Sequence, residues 1–283
     1  MPTLYIVATP IGNLEDVTLR ALRVLREVSL IAAEDTRTTR KLLARHGIRA
    51  LPTGRQARLV SYNEHNRAAR TPQILAALRD GDVALVSEGG TPVISDPGHD
   101  LVTAALEAGF TVTAIPGPSA VTAALAVSGL STRQFTYLGF LPRRAGERRR
   151  LFASLRDDPH TIVAFESPHR LLRSLSDMHA EWGDRRIAVC RELTKAFEEV
   201  FRGSIGEALE HFADRPRGEF TLVVEGSTGP AAPDFEEVRR DLQQRKADGE
   251  PAKRAVAEVA RRYGLPHRRV YRMWLEAVSD PAD

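Results

Sequence analysis

The chain is poor in cysteine, in lysine and in long apolar runs, and each scarcity excludes a class of protein. Its 283 residues include a single cysteine, Cys190. An intramolecular disulfide framework and a cysteine-cluster zinc site are therefore excluded. No apolar run approaches the length of a membrane-spanning helix, and the N-terminus lacks the basic start and long apolar run of a signal peptide. We expect a protein of a reducing, cytoplasmic compartment with no membrane association.

Basic charge is carried almost entirely by arginine. The formal net charge is +3, and the 40 basic residues include four lysines. These lysines are Lys41, Lys195, Lys246 and Lys253. So small a positive excess indicates a polyanionic partner only weakly. The places where arginines cluster, at residues 143–150 and 261–272, are therefore more informative than their total.

Strands and helices alternate along most of the chain. Short apolar runs at residues 4–9, 30–33 and 83–86 are each followed by helical spacing of apolar residues. This alternation is typical of a mostly parallel sheet covered by helices. With 42% hydrophobic residues the chain can form more than one sizeable core. We predict the α/β class, with two α/β domains in tandem.

Domain boundaries are predicted from interruptions in this alternation of strands and helices. The N-terminal α/β domain takes residues 1–140, and the second takes residues 141–226, after an arginine-rich junction. Residues 227–233 read as a Gly/Pro linker. Residues 234–283 have the pattern of three amphipathic helices, and the last two form a basic helix-turn-helix-like extension. A helical cap or dimer element with a solvated arginine face fits that pattern equally well.

A glycine-rich loop follows the apolar run Val83–Val86. Gly89 and Gly90 allow backbone N–H groups to approach a ligand with no Cβ between them. In open α/β sheets, ligands bind at the carboxyl ends of the strands. An ordinary strand-to-helix loop would contain the same residue types. The loop alone therefore leaves both interpretations open.

Several ligand classes are excluded by missing patterns. The chain has no G-x-x-x-x-G-K-[ST], which excludes a Walker-type triphosphatase. The turn after the first strand lacks G-x-G-x-x-G, the dinucleotide-binding fingerprint. No His, Cys and carboxylate cluster has the tight spacing of metal ligands, so we predict no metal. A cofactor held by loops at residues 10–13, 88–94 and 116–120 remains.

Seven motifs occur together in one order. They are LYIVATPIGN at 4–13, AEDTR at 33–37, SEGGTPVISDPG at 87–98, PGPSA at 116–120, FESPHR at 165–170, RELTK at 191–195 and GEF at 218–220. This set closely resembles the ribosomal RNA small-subunit methyltransferase I family of the tetrapyrrole methylase superfamily. The resemblance runs from Leu4 to about Glu225, and the helical tail looks like the C-terminal extension of that group.

The resemblance implies a class III methyltransferase with S-adenosylmethionine in the cleft between its two α/β domains. It also implies 2′-O-ribose methylation of a cytidine in 16S rRNA, with the small ribosomal subunit as partner, and a homodimer. Thr91 stands where many relatives have aspartate. The cofactor-binding residues that the resemblance implies are Pro10, Gly89, Gly90, Thr91, Ile94, Ser119, Ala120 and Phe165.

Catalytic candidates come from the polar residues that the resemblance clusters at the cleft. Lys195 is the first choice for activating the ribose hydroxyl, because lysine loses its proton readily when it is desolvated. A surface lysine after a strand is an equally good reading of the same residue. Glu166 and Glu88 are the next choices. Since the sulfonium is already a good leaving group, positioning can account for much of the rate.

Substrate-binding candidates come from the same resemblance and from the arginine junction. Those at the cleft are Asp35, Arg37, Glu64, His65, Asn66, His169 and Arg170. At the junction, Arg143 and Arg144, together with Arg148, Arg149 and Arg150, could hold RNA phosphates. The motif at residues 34–37 could instead be an internal ion-pair network, and that at 63–66 a helix cap.

Two other functions are compatible with the motifs. One is an enzyme of the same superfamily that methylates a tetrapyrrole precursor, which the residue 34–37 and 165–170 motifs and the basic tail disfavour. The other is a non-catalytic RNA-binding assembly factor that keeps the fold. The intact glycine loop argues against the second.

Overall fold

The computed structural model describes residues 2–49, 58–214, 216–229 and 235–276. The chain divides into two compact units, Met1–Gly226 and Ser227–Asp283. Most of the predicted linker lies outside the described residues, since residues 230–234 belong to none of these ranges. None of the described helices is long and apolar enough to cross a membrane.

The first sheet of the larger unit is entirely parallel. Its strands are β1 (Thr3–Val7), β2 (Leu30–Ala33), β3 (Arg58–Ser61), β4 (Val83–Val86) and β5 (Thr111–Ile115). They lie in the order β3-β2-β4-β1-β5. In register, Leu4 of β1 lies between Val83 of β4 and Val112 of β5. The strands β4, β1 and β5 are thus neighbours, and their carboxyl ends meet at one edge.

Helices cover both faces of this sheet, as continuous apolar strands require. The four helices are α1 (Leu19–Glu27), α2 (Thr36–Arg45), α3 (Arg67–Asp80) and α4 (His99–Glu107). One core joins α1 and α2 to Val7, Ile31 and Val86. The other joins α3 and α4 to the opposite side chains of the same strands. This half is therefore a three-layer α/β/α arrangement.

The second sheet is mixed. Its strands are β6 (Phe135–Phe140), β7 (Thr161–Glu166), β8 (Arg186–Arg191), β9 (Glu199–Ser204) and β10 (Phe220–Val224), in the order β6-β7-β10-β8-β9. The pair β6 and β7 is parallel, whereas β10 runs antiparallel to both β7 and β8, and β9 antiparallel to β8. The helices α6 (Ala145–Ser154), α7 (Leu171–Trp182) and α8 (Ile205–His211) pack on one face.

The helix α5 (Ala120–Ser128) joins the two halves. It follows β5 of the first sheet, but its side chains Val121, Ala124 and Leu125 pack on β7, β8 and β10 of the second. The next strand, β6, also pairs in the second sheet. Sheet membership therefore changes before Phe135, earlier than the predicted boundary at residues 140 and 141. The division into independently folding domains stays a prediction.

The smaller unit consists of three helices, α9 (Phe235–Ala247), α10 (Ala252–Arg262) and α11 (His267–Glu276). Their apolar faces form one core that includes Val238, Val256 and Trp274. The turn between α10 and α11 is short, as in helix-turn-helix motifs. The end of the predicted tail, residues 277–283, lies outside the described residues.

Candidate functional site

Three loops meet at the carboxyl ends of β1, β4 and β5. Thr9 and Gly90 exchange two backbone hydrogen bonds, from Thr9 N to Gly90 O at 2.8 Å and from Gly90 N to Thr9 O at 2.9 Å. The Thr91 hydroxyl donates to Pro118 O at 3.4 Å. The first loop and the loop before α5 are thus both tied to the glycine loop. This is the edge at which open α/β sheets bind ligands.

Close backbone packing explains the glycine at position 89. A Cβ on Gly89 would lie 3.1 Å from Pro10 O and 3.4 Å from the Ile11 Cα. Gly90 has a φ of +90°, a conformation that favours glycine. Gly89 is exposed while Gly90 and Pro10 are buried. Exposed backbone is therefore available to a ligand at the sheet edge.

The rest of the glycine loop is strained. Val93 and Ser95 have φ values of 77° and 65°, which are uncommon for side chains with a Cβ. Such strain clusters at ligand-binding segments. Between these residues lies Ile94, which keeps 48% of its surface exposed. The apolar side chain of Ile94 is thus accessible to a ligand beside the loop backbone.

Ser119 and Ala120 begin α5, next to the glycine loop. Ser119 occupies the N-cap position, but its side chain makes no capping hydrogen bond. The simple N-cap interpretation of this serine is therefore incomplete. In the part of the chain that the structure describes, its hydroxyl has no hydrogen-bond partner, so it can meet a ligand. Ala120 packs with the core that joins α5 to the second sheet.

The second half supplies the facing wall. The Tyr137 hydroxyl and Ser95 Oγ are hydrogen-bonded at 2.7 Å, and Asn13 N donates to Thr194 Oγ1 at 3.0 Å. The Phe165 ring lies edge-to-face against Tyr137, with 5.5 Å between centroids. It packs with the α5 core. Phe165 thus belongs to the aromatic cluster of this wall, and its predicted role in closing the cofactor site stays a prediction.

Carboxylates surround the glycine loop. Glu34 Oε2 accepts a hydrogen bond from Glu88 N at 3.0 Å. Burial, with the negative charges of Asp35, Glu34 and Glu219, raises the pKa of Glu88. Burial, with the charges of Glu34 and Glu88, raises the pKa of Asp96 to about 7, against an opposing hydrogen bond from Ser87. The field at the loop is therefore negative, which suits a cationic ligand better than a phosphate.

Asp96 is a functional candidate that the sequence analysis does not single out. It lies inside the motif at residues 87–98, but no role is predicted for it there. Its usable signal is its place between Ser95 and Pro97 in a loop at a strand's carboxyl end. Polar residues there belong to binding sites more often than polar residues elsewhere.

Lys195 lies in an ion-pair cluster. Its Nζ is 3.0 Å from Glu192 Oε1 and 3.0 Å from Glu219 Oε2. Burial alone would lower the pKa of Lys195, but the hydrogen bonds and charges of the two carboxylates outweigh it and raise that pKa. The expectation that Lys195 loses its proton by desolvation is therefore wrong. Lys195 is a cation at neutral pH.

Backbone geometry holds the Lys195 loop against the first loop. A Cβ on Gly12 would lie 2.5 Å from the Lys195 Cγ. Glu192 and Thr194 have φ values of 51° and 66°, strain of the kind seen in the glycine loop. A surface cavity of about 730 Å³ lies here, lined by Gly12, Asn13, Leu14, Glu15, Arg45, Thr194, Lys195 and Ala196. It adjoins the first loop rather than the glycine loop.

Glu166 is buried and fully engaged. It forms an ion pair with Arg170 at 2.7 Å and accepts hydrogen bonds from Ser167 N at 2.6 Å and the Ser174 hydroxyl at 2.5 Å. Arg170 also donates to Leu141 O at 3.0 Å. These contacts join the end of β7 to α7. Both side chains are thus engaged within the chain, which disfavours the predicted roles of Glu166 in proton transfer and of Arg170 in RNA binding; the two roles stay predictions.

The motif at residues 34–37 caps α2. Asp35 is the N-cap residue and accepts from Arg37 N at 2.7 Å. Its carboxylate also pairs with the Arg37 guanidinium at 2.7 Å. Hydrogen bonds from Arg37 lower the pKa of Asp35 to about 2. Arg37 is largely exposed, so it can contact a substrate, whereas the carboxylate of Asp35 is engaged by Arg37; the predicted substrate contacts of both residues stay predictions.

The motif at residues 63–66 forms a turn. The Asn66 side chain accepts from Asn63 N at 2.9 Å and donates to Ser61 Oγ at 3.0 Å, and Glu64 pairs with Arg67 at 3.0 Å. The predicted RNA-contacting role therefore weakens for Asn66 and Glu64. His65, in contrast, is exposed.

The arginine junction forms helix α6. Arg148 is only 3% exposed and pairs with the buried Asp177, so the expectation that it binds RNA is wrong. Arg149 pairs with the same carboxylate at 2.7 Å. Arg143 and Arg144 are exposed, and so is His169 on the following segment. These three keep the accessibility that their predicted role requires.

Among the described residues, no three His, Cys, Asp or Glu side chains come together in a way that could hold a metal ion. The site is thus built from backbone, apolar side chains and carboxylates around one edge of the first sheet. Its chemistry fits a cofactor with an apolar part and positive charge.

Comparison with known proteins agrees with this geometry. The family model described as Tetrapyrrole (Corrin/Porphyrin) Methylases matches residues 3–209. A protein of Synechocystis sp. (strain ATCC 27184 / PCC 6803 / Kazusa), named ribosomal RNA small subunit methyltransferase I, is 45% identical over 285 residues, which cover 99% of this chain and 100% of that protein. The chain belongs to this family. The resemblance predicted from the seven motifs is confirmed.

Two further comparisons are informative. A relative of the same name from Thermotoga maritima is 49% identical over 228 residues, 80% of this chain and 99% of its own length. About a fifth of this chain thus has no counterpart there. The crystal structure of uroporphyrin-III-C-methyltransferase from Thermus thermophilus matches with a TM-score of 0.55 at 22% identity, covering 80% of this chain and 94% of that chain. The predicted α/β architecture is confirmed.

S-adenosylmethionine is the methyl donor of the family, and the sheet-edge site fits it. The exposed backbone at Gly89, the unbonded Ser119 hydroxyl and the exposed Ile94 side chain offer polar and apolar contacts. The surrounding carboxylates complement a cationic sulfonium and amino group, whereas a phosphate ligand would call for basic groups. The individual cofactor contacts stay predictions.

Proposed function

We propose that the chain methylates the 2′-hydroxyl of a cytidine in small-subunit ribosomal RNA. The observation that carries the proposal is the sheet-edge site with its negative field, in a chain 45% identical along its length to a protein named ribosomal RNA small subunit methyltransferase I. The small ribosomal subunit is the proposed partner, in the cytoplasm, and the active form is a homodimer.

The proposed chemistry divides between the two walls of the cleft. When bound, S-adenosylmethionine supplies an electrophilic methyl group on a leaving sulfonium. Pro10, Gly89, Gly90, Thr91 and the start of α5 hold it in place. The ribose oxygen would accept this methyl group in exchange for its hydroxyl proton, which Glu88 would take up. Positioning of the two reactants supplies much of the rate.

Lys195 acts as a fixed cation rather than as a base. Held by Glu192 and Glu219, its ammonium group stabilises negative charge that develops on the ribose oxygen. Arg37, exposed at the start of α2, is the second cation available to the RNA. With a protonated Lys195 in this role, Lys195→Arg should keep a measurable fraction of kcat, and Lys195→Met should lose far more. Equal and complete loss in both variants would favour a base.

Glu88 is the proposed proton acceptor. It is exposed at the glycine loop, and partial burial and neighbouring carboxylates raise its pKa, which makes its carboxylate a stronger base than an ordinary glutamate. In wild type, kcat should rise with pH as Glu88 loses its proton. Glu88→Gln should remove that rise. A profile unchanged by the substitution would exclude Glu88 from proton transfer.

A substrate comparison tests the function itself. The purified chain is incubated with methyl-labelled S-adenosylmethionine and either unmethylated small subunits or uroporphyrinogen III. Label in the RNA and none in the tetrapyrrole is expected. Transfer to the tetrapyrrole would assign the other substrate class, and calorimetry that detects no cofactor binding would favour a non-catalytic assembly factor.

A further inference from the structure

Phe140 is a large apolar side chain that the fold leaves in solvent. It ends β6, and 60% of its surface is exposed. Exposed aromatic surface is unfavourable in water, and a strand position offers ample opportunity to bury it. We therefore looked for a binding partner that covers the Phe140 ring.

A β-bulge sets the direction of this side chain. Strand side chains alternate between faces. Leu138 packs with the helix-covered core of the second sheet, so regular alternation would point Phe140 to the same face. Instead, the register between β6 and β7 shifts between Tyr137 and Phe140. Bulges re-aim side chains in this way, and this one brings Phe140 to the face of Phe165 on the cleft side.

Gly139 makes the bulge possible. Its φ of +64° favours glycine, and a Cβ there would lie 2.8 Å from Ser95 Oγ of the glycine loop. The bulge is thus packed directly against the cofactor-side loop. A larger residue at position 139 would displace the Ser95 hydroxyl, which is hydrogen-bonded to Tyr137.

The aromatic neighbours make Phe140 a supported platform. Its ring lies edge-to-face against Phe165, with 5.4 Å between centroids and an interplanar angle of 62°. Phe165 in turn contacts Tyr137. An edge-to-face contact leaves a face of the Phe140 ring free. A flat π surface held in this way stacks well with a nucleobase.

Two arginines lie close after Phe140 in the sequence. Arg143 is three residues on, within about 11 Å. Its guanidinium has no ion-pair partner in the described ranges. Arg144 forms an ion pair with Glu147 at 3.3 Å, and both side chains are exposed. Such a surface pair is worth little and exchanges readily. An aromatic ring followed by available arginines is the arrangement that binds single-stranded nucleic acid.

We propose that Phe140 stacks on an unpaired base of the RNA substrate and that Arg143 binds a phosphate of the same strand. The inference rests on the proposed function and deepens it, since it states that the RNA enters the cleft single-stranded at β6. The stacked base lies one aromatic ring from Phe165, the residue predicted to close the cofactor site.

Direct binding tests the proposal. Affinity for a fluorescein-labelled, unpaired oligoribonucleotide is measured by anisotropy for wild type, Phe140→Ala and Phe140→Trp. Phe135→Ala is the matched control, since Phe135 begins the same strand and is 44% exposed. Phe140→Ala should raise Kd roughly 5- to 150-fold. Phe140→Trp should restore binding, and Phe135→Ala should change Kd less than about twofold.

Three further measurements separate this proposal from its rivals. Affinity for S-adenosylmethionine should be the same in Phe140→Ala and wild type, and a loss there would make the ring part of the cofactor site. The oligomeric state by sedimentation should not change, and dissociation would make Phe140 a contact between copies of the chain. Arg143→Gln should lower the salt dependence of binding by about 0.7 in the log–log slope, and an unchanged slope would refute the phosphate contact.

The proposal and the proposed function fail separately. Methylation by wild type with unchanged RNA affinity in Phe140→Ala would overturn the stacking platform and leave the function standing. RNA binding that depends on Phe140 in a wild-type protein that transfers no methyl group would do the reverse. If Phe140 stacks on a base, an ultraviolet cross-link from 5-iodocytidine-substituted RNA to the peptide containing Phe140 is expected whether or not methyl transfer is detected, and a cross-link confined to other peptides contradicts the platform.

Discussion

Replacing Asp96 by asparagine should change how the free energy of unfolding depends on pH. The pKa of Asp96 lies at about 7 in the folded chain, against 3.8 ordinarily. Over that interval the native state holds a proton that the unfolded chain has lost, so wild-type stability falls as pH rises from about 4 to 7. Asparagine stays neutral and removes this loss.

The magnitude follows from the same interval. From 3.8 to about 7, at about 1.36 kcal/mol per pH unit, it corresponds to about 4 kcal/mol. Because Asp96 is partly exposed, we reduce this for solvent screening to about 2 kcal/mol. The stability of Asp96→Asn relative to wild type should thus increase by about 2 kcal/mol between pH 4 and pH 8.

Urea unfolding at several pH values measures this difference. Asp80→Asn, the same substitution at an exposed carboxylate at the end of α3, is the matched control. A pH-independent difference between Asp96→Asn and wild type would refute the account of the carboxylate cluster. The same variant should bind S-adenosylmethionine more weakly at pH 8, where it lacks a negative charge, and about equally at pH 5.5.

Three other predictions concern the loop, the core and the tail. Gly89→Ala should lower affinity for S-adenosylmethionine about tenfold by calorimetry, because the new Cβ would lie 3.1 Å from Pro10 O. The control Gly146→Ala has open space around the new Cβ and should bind the cofactor with wild-type affinity. Equal affinities of the two variants would contradict the backbone contact. Asp177→Ala should cost about 3 kcal/mol or more in urea unfolding, because it leaves Arg148 buried without its carboxylate, and a loss below about 1 kcal/mol would contradict this. Deleting residues 234–283 should weaken RNA binding and spare cofactor binding, and unchanged methylation of small subunits would refute a recruiting role for the tail.

The parallel sheet could be predicted because its signals are local. Each buried strand is a continuous apolar run, such as Val83–Val86, and each is followed by a helix with its own cap or stop signal. The glycine loop can be predicted from its glycine and proline residues, which directly follow an apolar run. The order of the strands, which brings the three loops together, depends on long-range packing and is not local information.

The second sheet and the arginine junction show where local reasoning ends. The strand β9 (Glu199–Ser204) is half-exposed and has no apolar run, so periodicity does not reveal it. Arg148 is predicted to be exposed because its charge is read in isolation. The carboxylate that buries it, Asp177, lies 29 residues away. Likewise, the pKa of Lys195 depends on burial and on its hydrogen bonds to Glu192 and Glu219, and Glu219 belongs to a different loop.

The central claim is methyl transfer to a ribose hydroxyl of small-subunit RNA. Small subunits that lack the modification are incubated with the chain and trideuteromethyl-labelled S-adenosylmethionine, and the digested nucleosides are analysed by mass spectrometry. We expect label in cytidine, on the ribose fragment, as 2′-O-methylcytidine. Label on the base, in another nucleoside, or nowhere despite demonstrated cofactor binding would contradict the account.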